Sequence, residues 1–135
     1  MDIEKAMMVS ASGLRAQSVR MRIIAENMAN AGSTALEPGD DPYRRKIVTF
    51  KNTLDEALGV NKVNVHKVDV DRSDFGKRFE PGHPAADVDG YVATTNVTGL
   101  VEAIDMQQAQ RSYQANLNAM ESTKRMAVAT VELLR

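Results

Sequence analysis

The sequence predicts a mainly α protein with a small β-rich middle region, its long N- and C-terminal helices paired as a coiled-coil-like core, elongated rather than globular. Three observations lead there. Apolar residues recur at alternating steps of four and three along both ends of the chain, which is the seam period of paired helices. Neither end contains a proline. Aromatic residues make up only 4% of the 135 residues, with no Trp, whereas Met is present eight times. Rings supply much of the buried area of compact cores; Met and Ala instead suit close helix–helix packing.

Residues 1–31 form the N-terminal core helix. Ile3, Met7, Ser10, Leu14, Gln17, Met21, Ile24, Met28 and Ala31 follow the heptad steps, imperfectly at Ser10 and Gln17. Asn30-Ala31-Gly32 then offers a left-handed stop. Residues 32–95 are a loop and a small β-rich middle region. Within it, 32–42 is a loop by composition, Tyr43–Phe50 alternates weakly as a strand, and Lys51–Leu58 suits one or two helical turns. Asn61–Val70 reads as a strand, a short strand lies near Lys77–Phe79, and Gly90–Ala93 is extended. Residues 96–135 form the C-terminal core helix, with Asn96 or Thr98 as its N-cap. Its stripe runs through Gly99, Ala103, Met106, Gln110, Tyr113, Leu117, Met120, Lys124, Ala127, Val131 and Leu134.

A helix over 97–134 is about 57 Å long at the standard rise. A compact globule of this length is about 37 Å across. The helix therefore protrudes, and Ala6, Ala16, Ala25, Ala109, Ala115 and Ala119, lying off the stripes, suit contact with neighbouring subunits.

Composition narrows the function. The formal net charge is −1 and is evenly spread, so no basic field exists to hold nucleic acid. There is no cysteine, which removes disulfides, thiolate metal sites and thiol nucleophiles. No apolar run reaches the ~20 residues a membrane span needs, and Met1-Asp2-Ile3-Glu4-Lys5 is acidic where a cleaved secretory signal is basic. His66 and His83 lie on separate segments without a metal-ligand partner in sequence. Asp69-Val70-Asp71-Arg72-Ser73-Asp74, with Glu80 at the twelfth position, opens like a calcium loop, but Asp74 stands where the sharp turn needs Gly. Arg44-Arg45-Lys46 reads as a solvated basic run on a strand edge. No phosphate loop, nucleophile elbow or zinc-protease motif occurs, so no catalytic, metal or cofactor site is expected.

What remains is packing. Asn27 and Asn30 sit one turn apart near the end of the first helix; Arg111, Tyr113 and Asn116 sit midway along the second. Polar groups in a helix interface fix register and partner when they are paired. The candidate subunit-interface residues are Ile3, Met7, Leu14, Met21, Ile24, Asn27, Met28 and Asn30 at one end, and Met106, Arg111, Tyr113, Asn116, Leu117, Met120, Val131 and Leu134 at the other.

Ala25-Glu26-Asn27-Met28-Ala29-Asn30-Ala31 resembles the N-terminal signature of bacterial flagellar rod and hook proteins, with Met28 where Leu is usual. Asn96-Val97 and Arg111-Ser112-Tyr113-Gln114-Ala115-Asn116 resemble that family's C-terminal region. Pro42-Tyr43-Arg44-Arg45-Lys46, Glu80-Pro81-Gly82-His83-Pro84 and Gly90-Tyr91-Val92 look like a proximal-rod member. The resemblance covers nearly the whole chain. It implies a non-enzymatic structural subunit of the basal-body rod, the shaft that crosses the periplasm and carries motor torque to the hook. Its terminal helices would form the inner layer and its middle a small outer region. Its partners would be other rod subunits, copies of itself and the flagellar type III export apparatus, through which it would leave without signal cleavage. It implies no cofactor, nucleic acid or membrane insertion. The rival readings are a different rod component lacking the Gly-His-Pro and Gly-Tyr-Val segments and, from another class, a soluble module that binds a partner helix.

Overall fold

A computed structural model describes residues 2–135. The element order is α1 (Ile3–Ala29), β1 (Lys46–Asp55), β2 (Val60–Val70), β3 (Gly76–Phe79), β4 (Tyr91–Thr94) and α2 (Gly99–Leu133). Two helices of 27 and 35 residues thus flank a small strand region. β1 and β2 form one two-stranded sheet, β3 and β4 another. No helix among the described residues is long and apolar enough to cross a membrane.

By its contacts the chain divides into two compact units. The first holds α1 as far as Met21, the segment Val48–Lys67 and the segment Gln107–Arg135. Here the helices approach closely at Gly13, where an added Cβ would lie 2.8 Å from the Asn116 amide. A larger residue at position 13 would have to displace the Asn116 side chain. The Ser12 hydroxyl donates to the Val9 carbonyl at 2.7 Å and accepts from the Val63 amide at 3.2 Å, tying β2 to α1. Arg20 reaches Gln108 at 3.3 Å.

The second unit holds Arg22–Ile47 and Val68–Met106. β3 and β4 pair antiparallel from Gly76 opposite Thr94 to Phe79 opposite Tyr91. A bridge from Thr34 to Thr94 adds the loop after α1. The small core is Val92 against Ala35 and Ala85. Gly90 turns the chain into β4 with φ of +83°, and a Cβ there would meet Phe79 at 3.0 Å and Pro81 at 3.1 Å. Conformation and space both demand glycine. Asp87 holds the same turn by accepting from the Asp89 and Tyr91 amides.

Several local expectations need correction. Lys51–Leu58 does not form helical turns: β1 runs on to Asp55. The turn comes next, with the Gly59 amide donating to the Asp55 carbonyl at 2.7 Å and Gly59 at φ +62°. Cross-strand pairing in the hairpin outweighs the weak local helix preference. The first helix does not end in a left-handed residue, since positive φ occurs only at Gly39, Gly59 and Gly90 among the described residues. It ends by tightening. The Asn30 and Ala31 amides donate three residues back, to Asn27 and Met28, and the Asn30 side chain donates to the Glu26 carbonyl at 2.8 Å. Those bonds satisfy carbonyls that a left-handed cap would otherwise serve. At α2, Thr98 takes the N-cap position, its carbonyl accepting from the Glu102 amide.

Candidate functional site

The densest polar cluster lies in the second unit and joins three parts of the sequence: the end of α1, the start of β1 and the first turns of α2. Its centre is Asn27, only 1% exposed. A side-chain amide offers two donor hydrogens and two acceptor lone pairs, and Asn27 uses all four. Its Nδ2 donates to the Lys46 carbonyl at 2.8 Å and to Glu102 Oε2 at 3.1 Å. Its Oδ1 accepts from the Tyr43 hydroxyl at 2.8 Å and from the Lys46 amide at 2.9 Å. One side chain on α1 thereby holds both backbone groups of the first residue of β1. An aspartate here would lose both donors.

Glu102 is wholly buried. Such a carboxylate is tolerable only when paired and hydrogen-bonded. Arg45 supplies the pair, with Nε donating to Oε1 at 2.5 Å. The same guanidinium reaches Asp105 at 3.2 Å and Asp71 at 3.6 Å. Burial works to lower the Arg45 pKa, but the hydrogen bond to Glu102 and the charges of Glu102, Asp105 and Asp71 outweigh it, and the net shift is upward. Tyr43 is also held above its ordinary pKa, first by burial and then by the neighbouring Glu26 charge. Asp71 is held low, first by the Ser73 amide and hydroxyl and then, against the opposing effect of burial, by Arg45.

Asn96 completes the joint. Its Oδ1 accepts from the Arg45 amide at 2.7 Å, and its Nδ2 donates to the Asp71 carbonyl at 3.0 Å and the Ser73 hydroxyl at 3.1 Å. The reading of Arg44-Arg45-Lys46 as a solvated basic run is therefore overturned. Arg44 lies 4.1 Å over the Phe75 ring and donates to the Ser73 carbonyl. Arg45 is the central ion partner, and Lys46 pairs with Glu26. Extended backbone lets three successive cations diverge to three separate acceptors.

The other singled-out residues scatter. His83 accepts from the Ala85 amide through Nδ1, which leaves Nε2 to donate to the Thr34 hydroxyl at 3.2 Å. The carboxylates of the calcium-like stretch go separate ways: Asp71 to Arg45, Glu80 to Arg78. Of the candidate interface residues, Ile24 and Asn27 are buried within the chain. Ile3, Met7, Leu14, Met21, Asn30, Met106, Tyr113, Asn116, Leu117 and Met120 are half-buried, and Met28, Arg111, Val131 and Leu134 are exposed. The face of α2 that this chain covers lies partly one position round from the predicted stripe. Glu102, Ala109 and Thr123 are buried and Asn116 half-buried, at steps of seven, alongside half-buried Met106, Tyr113, Met120 and Ala127. That seam is small or polar, so hydropathy does not reveal it; its heptad spacing was the available signal.

The asparagine on α1, the Tyr-Arg-Arg-Lys segment and the asparagine ahead of α2 come from three separate stretches of similarity to rod proteins, and the fold brings them into one hydrogen-bonded cluster. Residues 88–133 match the family described as "Flagellar basal body rod FlgEFG protein C-terminal". Over nearly its whole length the chain is similar to curated proteins named flagellar basal-body rod protein FlgC. That of Agrobacterium fabrum is 48% identical, covering 98% of this chain and 96% of the relative. That of Bacillus subtilis is 37% identical over 93% of each, and that of Salmonella typhimurium 38% over 93% and 92%. At such identity and coverage, the chain belongs to the FlgC family of flagellar basal-body rod proteins.

Proposed function

We propose that this chain is a structural subunit of the proximal rod of the bacterial flagellum, assembling with other rod components in the basal body. The near full-length identity of 48% to a rod protein carries that conclusion. The geometry supports it. The buried polar groups of the joint are spent on one another, fixing how β1 leaves the region between the end of α1 and the start of α2.

Mechanically, the terminal helices pair along their seams as a coiled-coil-like core and pack beside those of neighbouring subunits and copies of the same chain. Torque then spreads over many near-parallel helices with non-slipping register, and passes from the motor to the hook. Exposed apolar side chains near the end of α2, namely Met126, Val128, Val131 and Leu133, support this reading, because contiguous exposed apolar surface marks interaction sites. Met28 and Arg111 serve neighbouring subunits in the same account. The subunit reaches the rod through the flagellar type III export apparatus.

The test is genetic. Deleting the gene abolishes swimming and rod completion while growth stays normal, and a plasmid copy restores both. A motile deletion strain with complete rods contradicts the proposal.

A further inference from the structure

Two apolar features of the first unit have no cover among the described residues. One is a groove of about 420 Å³ lined by Ile3, Glu4, Met7, Met8 and Ala11 on α1 and by Met120 on α2. The other is the last part of α2 and the turn after it, where Val128, Val131, Leu133 and Leu134 are 50–87% exposed. The two cannot satisfy each other within one chain. Gly13 faces Asn116 and Arg20 reaches Gln108, so the helices run antiparallel and Met8 stands opposite the region of Glu121. Val131 is ten residues farther along an unbroken helix, about 15 Å away at the standard rise.

Resting on the rod reading above, we propose that the groove of one copy receives the Val128–Leu133 face of α2 from a second copy. Charge selects the occupant. Residues 2–11 carry Asp2 and Glu4 against Lys5, whereas residues 124–135 carry Lys124, Arg125 and Arg135 against Glu132. Opposite net charge at the two surfaces favours this pairing and disfavours groove-to-groove or tail-to-tail contact. Because the two surfaces differ, the contact is head-to-tail and does not close on itself, which is how a subunit builds a helical filament rather than a dimer.

The absence of native cysteine makes the contact directly readable. Two copies, one carrying Met8→Cys and the other Val131→Cys, are expressed together in a deletion strain, and isolated basal bodies are oxidised. A reducible dimer is the expected product. It should be absent from either variant alone and from Met8→Cys paired with Thr53→Cys in the β1–β2 hairpin. An intramolecular link cannot account for it, since each copy carries a single cysteine. Ala11→Cys with Val128→Cys reads the same contact through milder changes. Failure of both pairs to link overturns the proposal. So does benzophenone maleimide on Met8→Cys photolinking a different chain. Absence of the parent chain from basal bodies would instead overturn the rod reading itself.

Discussion

Replacing Arg45 with Met should destabilise the protein more than any single contact it makes would suggest, because it strands Glu102. That carboxylate is 0% exposed, and it also accepts from the Asn27 amide at 3.1 Å. Removing one member of a buried ion pair costs about 3–5 kcal/mol, since the orphaned charge stays out of water. Typical total stability is only ~5–15 kcal/mol. With a urea dependence of about 1.5 kcal/mol per molar, the unfolding midpoint should fall by about 2–3 M. Glu102→Met alone is milder, because the Arg45 side chain is 19% exposed and keeps Asp71 and Asp105. The double variant should recover most of the loss. Asp71 and Asp105 are about a third exposed and can hydrate, and Asn27 keeps its bond to the Lys46 carbonyl. Only about 1–2 kcal/mol should remain, for lost hydrogen bonds. Urea titration of the purified chain, followed by helical circular dichroism, measures all three variants. If the double variant loses the sum of the two single losses, the residues are uncoupled and the joint does not work as described.

Asn27→Asp keeps the shape of the side chain but removes both donors and sets a carboxylate beside Glu102, so its urea midpoint should fall at pH 7 and partly recover as the pH approaches 4; an unchanged midpoint at pH 7 contradicts the four-bond role. Gly90→Ala should cost about 1–2 kcal/mol from its positive φ, while Gly82→Ala, with open space around it, should melt like the parent. Asp55, Asp71 and Glu80 are all held below the ordinary carboxylate range, chiefly by Lys62, by Ser73 and by Arg78 respectively. Their folded pKa values lie below the unfolded ones, so the stability they confer is present above about pH 4 and lost as the pH falls further. Thermal scans should show Tm dropping from pH 5 to pH 3, and a flat profile refutes this. Leu117→Asp puts a charge on a half-buried position of α2 and should abolish swimming, whereas Lys77→Glu on exposed β3 should leave it near normal; equal swimming would show that the α2 seam is not an interior surface.

The helices were legible because their signal is long-range order along one element. Neither terminal segment is interrupted by proline, and apolar residues repeat with helical period, so the limits found at Ile3–Ala29 and Gly99–Leu133 sit close to those expected. The β2, β3 and β4 segments carried Val, Phe and Tyr beside Gly and Asp turns and were readable for the same local reason. The second half of β1, Lys51–Asp55, was not: Lys-Asn-Thr-Leu-Asp has no alternation, and only pairing with β2 makes it a strand. The joint was half legible. Asn27, Arg45 and Asn96 stood within recognisable motifs, but the buried acid was hidden. Glu102 lies 75 residues from Asn27, and no local pattern separates a buried glutamate from the exposed ones that helices usually carry. The seam was legible only at Asn116: Ala109, expected to face neighbouring subunits, is buried within the chain, and Thr123 carried no signal, because close approach at Gly13 selects small and polar residues there rather than large apolar ones.

Electron cryomicroscopy of isolated basal bodies tests the central claim most directly. The account predicts density for this chain at the proximal end of the rod, with α1 and α2 lying side by side in the inner layer and the β1–β2 hairpin outside them. Complete rods that contain no copy of the chain, or copies whose helices lie outside the inner layer, would contradict it.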